Sequence, residues 1–213
     1  TDLDEGYGIQ LSVNSVKLLN QIGFDEFQND KKFNPDKINF YSIKSSKKIC
    51  DLSISDFNSE DCKYTTLRRS DLINFLKKNL GNLIKTNYSI SKINQENQNI
   101  KLTFENNKTF ECDYLIISDG VFSKSKNLIS NNKIQPKYNN TLAIRGIIPS
   151  SSNVIDNKNI SLFLGPDFHQ VIYPVTQNGD YNFIAIMKYN LSINEQKDNS
   201  LFKNNDFVKK IFE

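Results

Sequence analysis

Only three arginines stand among the 27 basic residues; the other 24 are lysine. In a chain that writes lysine wherever a plain positive charge will do, Arg68, Arg69 and Arg145 mark places suited to a planar guanidinium that grips an anion two-pronged. Chance placement is the competing reading. The lone histidine, His169, is open to a weaker form of the same argument. It has no visible Ser or Cys partner, so no hydrolase triad emerges. In "DYLIISDGVFSKSKNLI" (113–129), Asp119 can order backbone N–H groups and Gly120 can turn without the obstruction of a Cβ. An ordinary capping turn is the alternative there. Cys50, Cys62 and Cys112 are odd in number and show neither CxxC nor Cys/His metal spacing, which points to free thiols in a reducing compartment and to no metal site.

These residues need elements to hold them. With 213 residues the chain can bury a core as one large domain or two small ones. No run approaches the 18 or so uninterrupted apolar residues that a membrane-spanning helix requires. The net charge is +3 and the lysines are scattered, so no nucleic-acid-binding stripe is present. The sequence opens at Thr1 without a methionine and closes within an amphipathic run, "NNDFVKKIFE", and so reads as a piece of something longer.

"GYGIQLSVNSVKLLNQIG" predicts a helix capped by Ser12, with Val13, Val16, Leu19 and Ile22 on one face and Gly23 as the stop. "INFYSI" and "KKICDLSI" are β-like. "TTLRRSDLINFLKKNLG" predicts a second helix with Ser70 as cap, a stripe of Leu72, Ile73, Leu76 and Leu80, and Gly81 closing it. Ile100, Leu102 and Phe104 alternate up to Asn106-Asn107, and the alternation resumes at Phe110 and Cys112, the pattern of a β-hairpin. The apolar run Tyr114–Ile117 then reads as a strand buried on both faces of a parallel sheet, with the turn at its carboxyl end placed where such sheets bind ligands. "SKSKNLI" is helical, and "NTLAIRGIIP", "ISLFLG" and "HQVIYPVTQNGDYNFIAIM" return to β patterning, with Asn178-Gly179 as a hairpin turn. Pro174 lies inside an apolar β run and predicts an edge or a bulge. Parallel-type and antiparallel-type segments are interleaved, so two domains that share the chain discontinuously are expected.

Five stretches, "GYGIQLSVNS" (6–15), "LRRSDLINFL" (67–76), "CDYLIISDGVFSKSKNLI" (112–129), "LAIRGIIP" (142–149) and "LGPDFHQVIYPV" (164–175), stand in the order and spacing of the FAD-dependent aromatic hydroxylases. The chain resembles this family, which includes the p-hydroxybenzoate, salicylate and polyprenyl-phenol hydroxylases, and resembles the salicylate branch most. The resemblance implies a mixed α/β fold: a Rossmann-like three-layer FAD-binding domain interleaved with a mainly antiparallel β substrate domain. Residues 1–30 and 65–135 would belong to the first, 31–64 and 136–190 to the second, and 191–213 would begin a helical segment. It also implies FAD as cofactor, NAD(P)H as electron donor, O₂ as oxidant and a small phenolic ring as substrate. The location implied is cytoplasmic, or at a membrane surface if the substrate is a quinone precursor.

The resemblance carries roles residue by residue. Arg69 would meet a flavin phosphate or ribityl oxygen, and Asp119 and Gly120 would lie near the pyrophosphate. The backbone at Ile90 would pack against the adenine, while Gln10, Leu11 and Ser12 would run toward the flavin ring. Arg145, His169, Tyr173 and Pro174 would line the substrate or flavin face. Arg68 takes a position where the family often has histidine and reads as a solvated charge. No acid–base residue is assigned. The chain departs from the family in having no Gly-x-Gly-x-x-Gly loop; the ribose-binding acidic residue would lie just before Thr1 and the downstream Gly-Asp motif beyond Glu213. A same-fold reductase or halogenase, and a non-catalytic α/β interaction domain without cofactor, remain as alternatives.

Overall fold

A computed structural model describes residues 7–96, 99–130, 134–149, 156, 158–198 and 200–212. In chain order the elements are β1 (Gly8–Leu11), α1 (Val13–Asn20), β2 (Lys32–Phe33), β3 (Lys37–Ser42), β4 (Lys48–Ser53), β5 (Thr65–Arg68), α2 (Arg69–Leu80), β6 (Ile90–Glu96), β7 (Asn99–Phe104), β8 (Thr109–Cys112), α3 (Ser125–Ile129), β9 (Thr141–Ile148), β10 (Ile160–Gly165), β11 (Phe168–Pro174), β12 (Tyr181–Lys188) and α4 (Asn205–Phe212). They form two compact units, residues 1–80 with 140–213, and residues 81–139. The two units group 1–30 and 65–80 with the large sheet rather than with 81–135.

The larger unit holds two sheets, β1-β5-β2 and β4-β3-β10-β11-β12-β9. The six-stranded sheet is antiparallel except where β10 lies parallel to β3. Asn178-Gly179 turns β11 into β12, with Gly179 at φ +87. The first helix forms where its apolar spacing predicts, and Gly23 ends the segment at φ +85. Ser12 has extended backbone, but its hydroxyl meets the side chains of Asn14 and Ser15 instead of a backbone N–H.

The second helix starts one residue ahead of the expected Ser70 cap. Pairing between β1 and β5 runs straight into it: the Arg69 N–H donates to the Tyr7 carbonyl at 2.8 Å, so a tertiary hydrogen bond takes over from a side-chain cap. Its buried positions are Leu72 and Phe75, and Leu80 is exposed. Phe75 displaces the expected Leu80 because Phe24 meets it edge-on at 5.3 Å and stacks on Phe27 at 5.4 Å. Leu11, Val16 and Leu67 complete this core.

In the smaller unit, β6-β7-β8 form an antiparallel sheet with the predicted hairpin turn at Asn107, φ +62. Leu102 and Phe104 are buried, whereas Phe110 is exposed. The strand expected at Tyr114–Ile117 is absent. These residues have no regular structure, and Tyr114 and Ile116 are each 89% exposed. A doubly buried parallel strand needs a hydrogen-bonding neighbour on each side, and none of the described strands pairs with this segment.

Candidate functional site

The sheet register gathers residues that are far apart in sequence. Alternation along β11 puts His169, Val171 and Tyr173 on one face. Tyr173 lies opposite Asn182, which lies opposite Ile147; Val171, Ile184 and Arg145 form the next row; His169, Ile186 and Ala143 the one after. Directly paired residues share a face, so Arg145, His169 and Tyr173 all project from the same side. Four residues of strand separate His169 from Tyr173 by about 13 Å, and two strand spacings set Arg145 about 10 Å from Val171. Arg145 is exposed, His169 half-buried and Tyr173 buried.

Around Tyr173 the face is both apolar and wired. Ile54, Ile160 and Val175 pack with it, and Ile38, Tyr64, Ile147, Val171 and Ile184 flank them. Burial pushes the Tyr173 hydroxyl up to about 12, although the Gln10 amide and the Arg145 guanidinium pull it the other way. Burial also raises Tyr64, whose hydroxyl donates to Gln10 Oε1 at 2.6 Å.

Pro174 does not mark an edge. β11 is interior, between β10 and β12, and Pro174 is its last residue, beyond the final β10 pair at Ile172. The missing N–H therefore leaves no ladder bond unmade on that side. The Pro174 carbonyl accepts the Thr66 hydroxyl at 2.5 Å. That bond, the Gly8 N–H donating to Asn182 Oδ1 at 2.6 Å, and the Arg68–Asp180 ion pair at 2.7 Å fasten the three-stranded sheet to the β11–β12 end of the larger one.

Gln10 is half-buried on β1, while the Leu11 side chain sits in the helical core, so only the Leu11 backbone is free to approach a ligand. Arg69 is exposed at the first residue of α2 and carries no ion pair among the described residues. Arg68 is not the solvated charge expected of it. Its guanidinium is committed to Asp180, and both side chains are mostly shielded, at 36% and 24% exposed. Replacing Asp180 by asparagine is expected to lower stability by about 1 kcal/mol, as for an ion pair that solvent still reaches, read from urea denaturation midpoints.

In the smaller unit, Ile90 opens β6 opposite Phe104 and is half-buried. Asp119 is exposed and Gly120 turns at φ +83. The Ser123 hydroxyl, followed by the Ser125 N–H at 3.2 Å, holds the Asp119 carboxyl below its ordinary value. A depressed carboxylate contributes order above its free value of 3.8 and loses it as pH falls through the lower folded value. The Ser125 amide resonance should therefore hold steady from neutral pH down to about 4 and move only below that, in a titration followed by NMR. An open depression of about 450 Å³ lies beside this turn, lined by Ile117, Asp119, Gly120, Ser123 and Lys126 among others.

Tyr64, Thr66, Asp180 and Asn182 carry no motif or periodicity that singles them out in the sequence. Their partners lie 54 to 174 residues away, and only the folded register reveals them.

No family model matches the chain. It is 23% identical over 180 residues to 6-hydroxynicotinate 3-monooxygenase of Bordetella bronchiseptica, a match covering 82% of the chain and 47% of that protein. It is 24% identical over 186 residues to 3-amino-4-hydroxybenzoate 2-monooxygenase of Streptomyces cremeus, covering 85% and 47%. Among solved structures, HpxO of Klebsiella pneumoniae in complex with FAD and uric acid superposes with a TM-score of 0.73 at 14% identity, over 97% of this chain and 55% of that one. A salicylate hydroxylase substrate complex gives 0.72 at 18% identity, over 91% and 51%. The chain spans about half the length of these proteins. It has the mixed α/β fold of the FAD-dependent hydroxylases and is similar in sequence to aromatic-ring monooxygenases.

Proposed function

We propose that the complete protein is a FAD-dependent monooxygenase that hydroxylates a small phenolic ring using NAD(P)H and O₂. The observation that carries this reading is similarity, over more than four fifths of the chain, to monooxygenases whose substrates are hydroxylated aromatic acids.

The residues present fit such a cofactor in part. Arg69 has an exposed, uncommitted guanidinium suited to a phosphate or ribityl oxygen, in contrast to its neighbour Arg68. Gln10 and the Leu11 backbone would approach the flavin ring, and in the smaller unit Asp119, Gly120 and the backbone of Ile90 would meet the pyrophosphate and adenine. FAD, when bound, supplies the redox chemistry that takes electrons from NAD(P)H and delivers one oxygen atom of O₂ to the ring. The chain's own contribution is to bind and orient. Arg145, free of any ion pair among the described residues, would draw an anionic substituent to the β9–β11 face. His169 and Tyr173 on the same face would make polar contacts along the ring, and Ile147, Val171 and Ile184 between them would exclude water. Pro174 would fix the chain's exit beside that face.

We infer as well that residues 1–30 and 65–135 contribute to the cofactor domain of the complete protein and 31–64 and 136–190 to its substrate domain. No helix among the described residues is long and apolar enough to cross a membrane, and three free thiols support a cytoplasmic location. The test is to incubate the complete protein with a panel of hydroxylated aromatic acids and to follow NAD(P)H consumption together with product by mass spectrometry. A product heavier by one oxygen, formed in step with NAD(P)H loss, supports the reading. NAD(P)H oxidation that yields only hydrogen peroxide or a reduced substrate across the panel overturns it.

A further inference from the structure

The six-stranded sheet has two edges, and only one of them is guarded. At β4 the pairing with β3 is interrupted by a bulge at Phe40/Tyr41, and Asp51 on that strand pairs with Lys37 and Lys48. Bulges and charges of this kind keep a sheet edge from recruiting another strand. β9, at the opposite edge, has no such protection. It is eight residues long, carries Arg145 as its one charge and no proline, and keeps an unbroken register with β12 from Thr141–Lys188 to Ile148–Tyr181. The Tyr189 N–H donates to the Asn140 carbonyl at 2.8 Å, which sets the alternation: Leu142, Ile144, Gly146 and Ile148 turn their N–H and C=O toward β12. Thr141, Ala143, Arg145 and Ile147 turn theirs outward, where no strand among the described residues meets them. Thr141, Ala143 and Arg145 are exposed.

The chain itself leads back to this edge. Tyr189, tied to Asn140 just ahead of β9, also packs its ring edge-on against Phe207 of α4, with centroids 6.1 Å apart. α4 therefore lies beside the Thr141 end of β9. The curated relatives are each covered over only 47% of their length, so a large part of the complete protein must find its place on or around this fold. We propose that the outer edge of β9 takes one further strand, supplied by the part of the complete protein that follows α4. Main-chain hydrogen bonds to Thr141, Ala143, Arg145 and Ile147 make the attachment. The added strand steadies the backbone from which Arg145 projects, whatever the substrate.

The test follows amide hydrogen exchange in the complete protein by NMR. The Ala143, Arg145 and Ile147 amides are expected to exchange slowly, within about tenfold of Ile144 and Gly146, because both sets then lie inside a ladder. Exchange at Ala143, Arg145 and Ile147 as fast as in an unstructured peptide, beside slow Ile144 and Gly146, would overturn the proposal. A photoreactive p-azidophenylalanine in place of the exposed Ala143 identifies the strand. Irradiation, followed by mass spectrometry of the digest, is expected to join position 143 to a peptide beyond Glu213 of the same chain. Cross-links that join two copies, seen as a doubled mass on a denaturing gel, would hand the edge to a second copy and overturn the assignment. Links that lead upstream of Thr1, or that reach no peptide beyond Glu213, would overturn it equally. Neither measurement depends on turnover, so failure of the proposed hydroxylase activity leaves both outcomes readable.

Discussion

Replacing Arg69 by lysine in the complete protein should weaken FAD binding roughly ten- to a hundredfold and leave the fold intact. Lysine keeps the charge but gives up the planar fork, and hydrogen bonds to charged groups are worth roughly 1.5–3 kcal/mol, with about 1.4 kcal/mol for each factor of ten in affinity. The fold should survive because the Arg69 side chain is exposed and only its backbone N–H, bonded to Tyr7, holds the start of α2. Arg68 offers a contrast one residue away. Its guanidinium is spent on Asp180, and its Nε is buried without a partner, so Arg68→Lys should cost some stability while changing FAD affinity little. Titrating FAD into the apo form of each variant, with flavin fluorescence as the signal, separates the two. Equal losses of affinity for both substitutions would remove Arg69 from the cofactor site and end the use of rare arginines as a guide to it.

Gly8→Ala should destabilise the protein by about 1–3 kcal/mol, the usual penalty for forcing a methyl group into a packed site. A Cβ built on Gly8 would lie 2.5 Å from Asn182 Cβ, 2.7 Å from its Cγ and 2.8 Å from Val175 Cγ1. Asn182 and Val175 are both fully buried, so neither has space to retreat. The same shift would lengthen the Gly8 N–H bond to Asn182 Oδ1 and loosen the attachment of β1 to β12. Gly146→Ala is the matched control. There the nearest atom to an added Cβ is 3.9 Å away, an ordinary contact, and the denaturation midpoint should barely move. Equal midpoints for the two variants would show that the β1–β12 contact has more slack than these distances allow. A falling midpoint for Gly8→Ala with unchanged FAD affinity would separate this structural latch from the cofactor site.

Most of the local structure was legible because it depends on neighbours in sequence. The apolar spacing of α1, the glycine stop after it, the hairpin turns at Asn107 and Gly179 and the alternating strands β7 and β9 to β12 all follow from backbone geometry and side-chain period. The misses share one cause. Tyr114–Ile117 has the composition of a buried strand, but composition cannot supply the strands that must pair with it. Leu80 has helical spacing, but the stacked rings of Phe24 and Phe27 select Phe75 for the core. Ser70 is a good cap residue, but the Tyr7 carbonyl reaches the helix start first.

The site divides the same way. The sequence alone determined the roster of unusual groups, three arginines in a lysine-rich chain, one histidine and an Asp-Gly turn, together with the motif order that points to a flavin hydroxylase fold. It also determined the Tyr-Pro at the end of β11, although the proline's place in an interior strand came only from the register. Tertiary structure alone decided which charges are free and which are spent, since Arg68, read from the sequence as a solvated charge, is paired by Asp180 from 112 residues away. It decided equally that the Tyr64 hydroxyl meets Gln10 and that Asn182, opposite Tyr173, accepts the Gly8 N–H. The physical reason is that a side chain's chemistry depends on what satisfies its donors and acceptors, and in a sheet those partners are fixed by strand order and register, which no local pattern encodes.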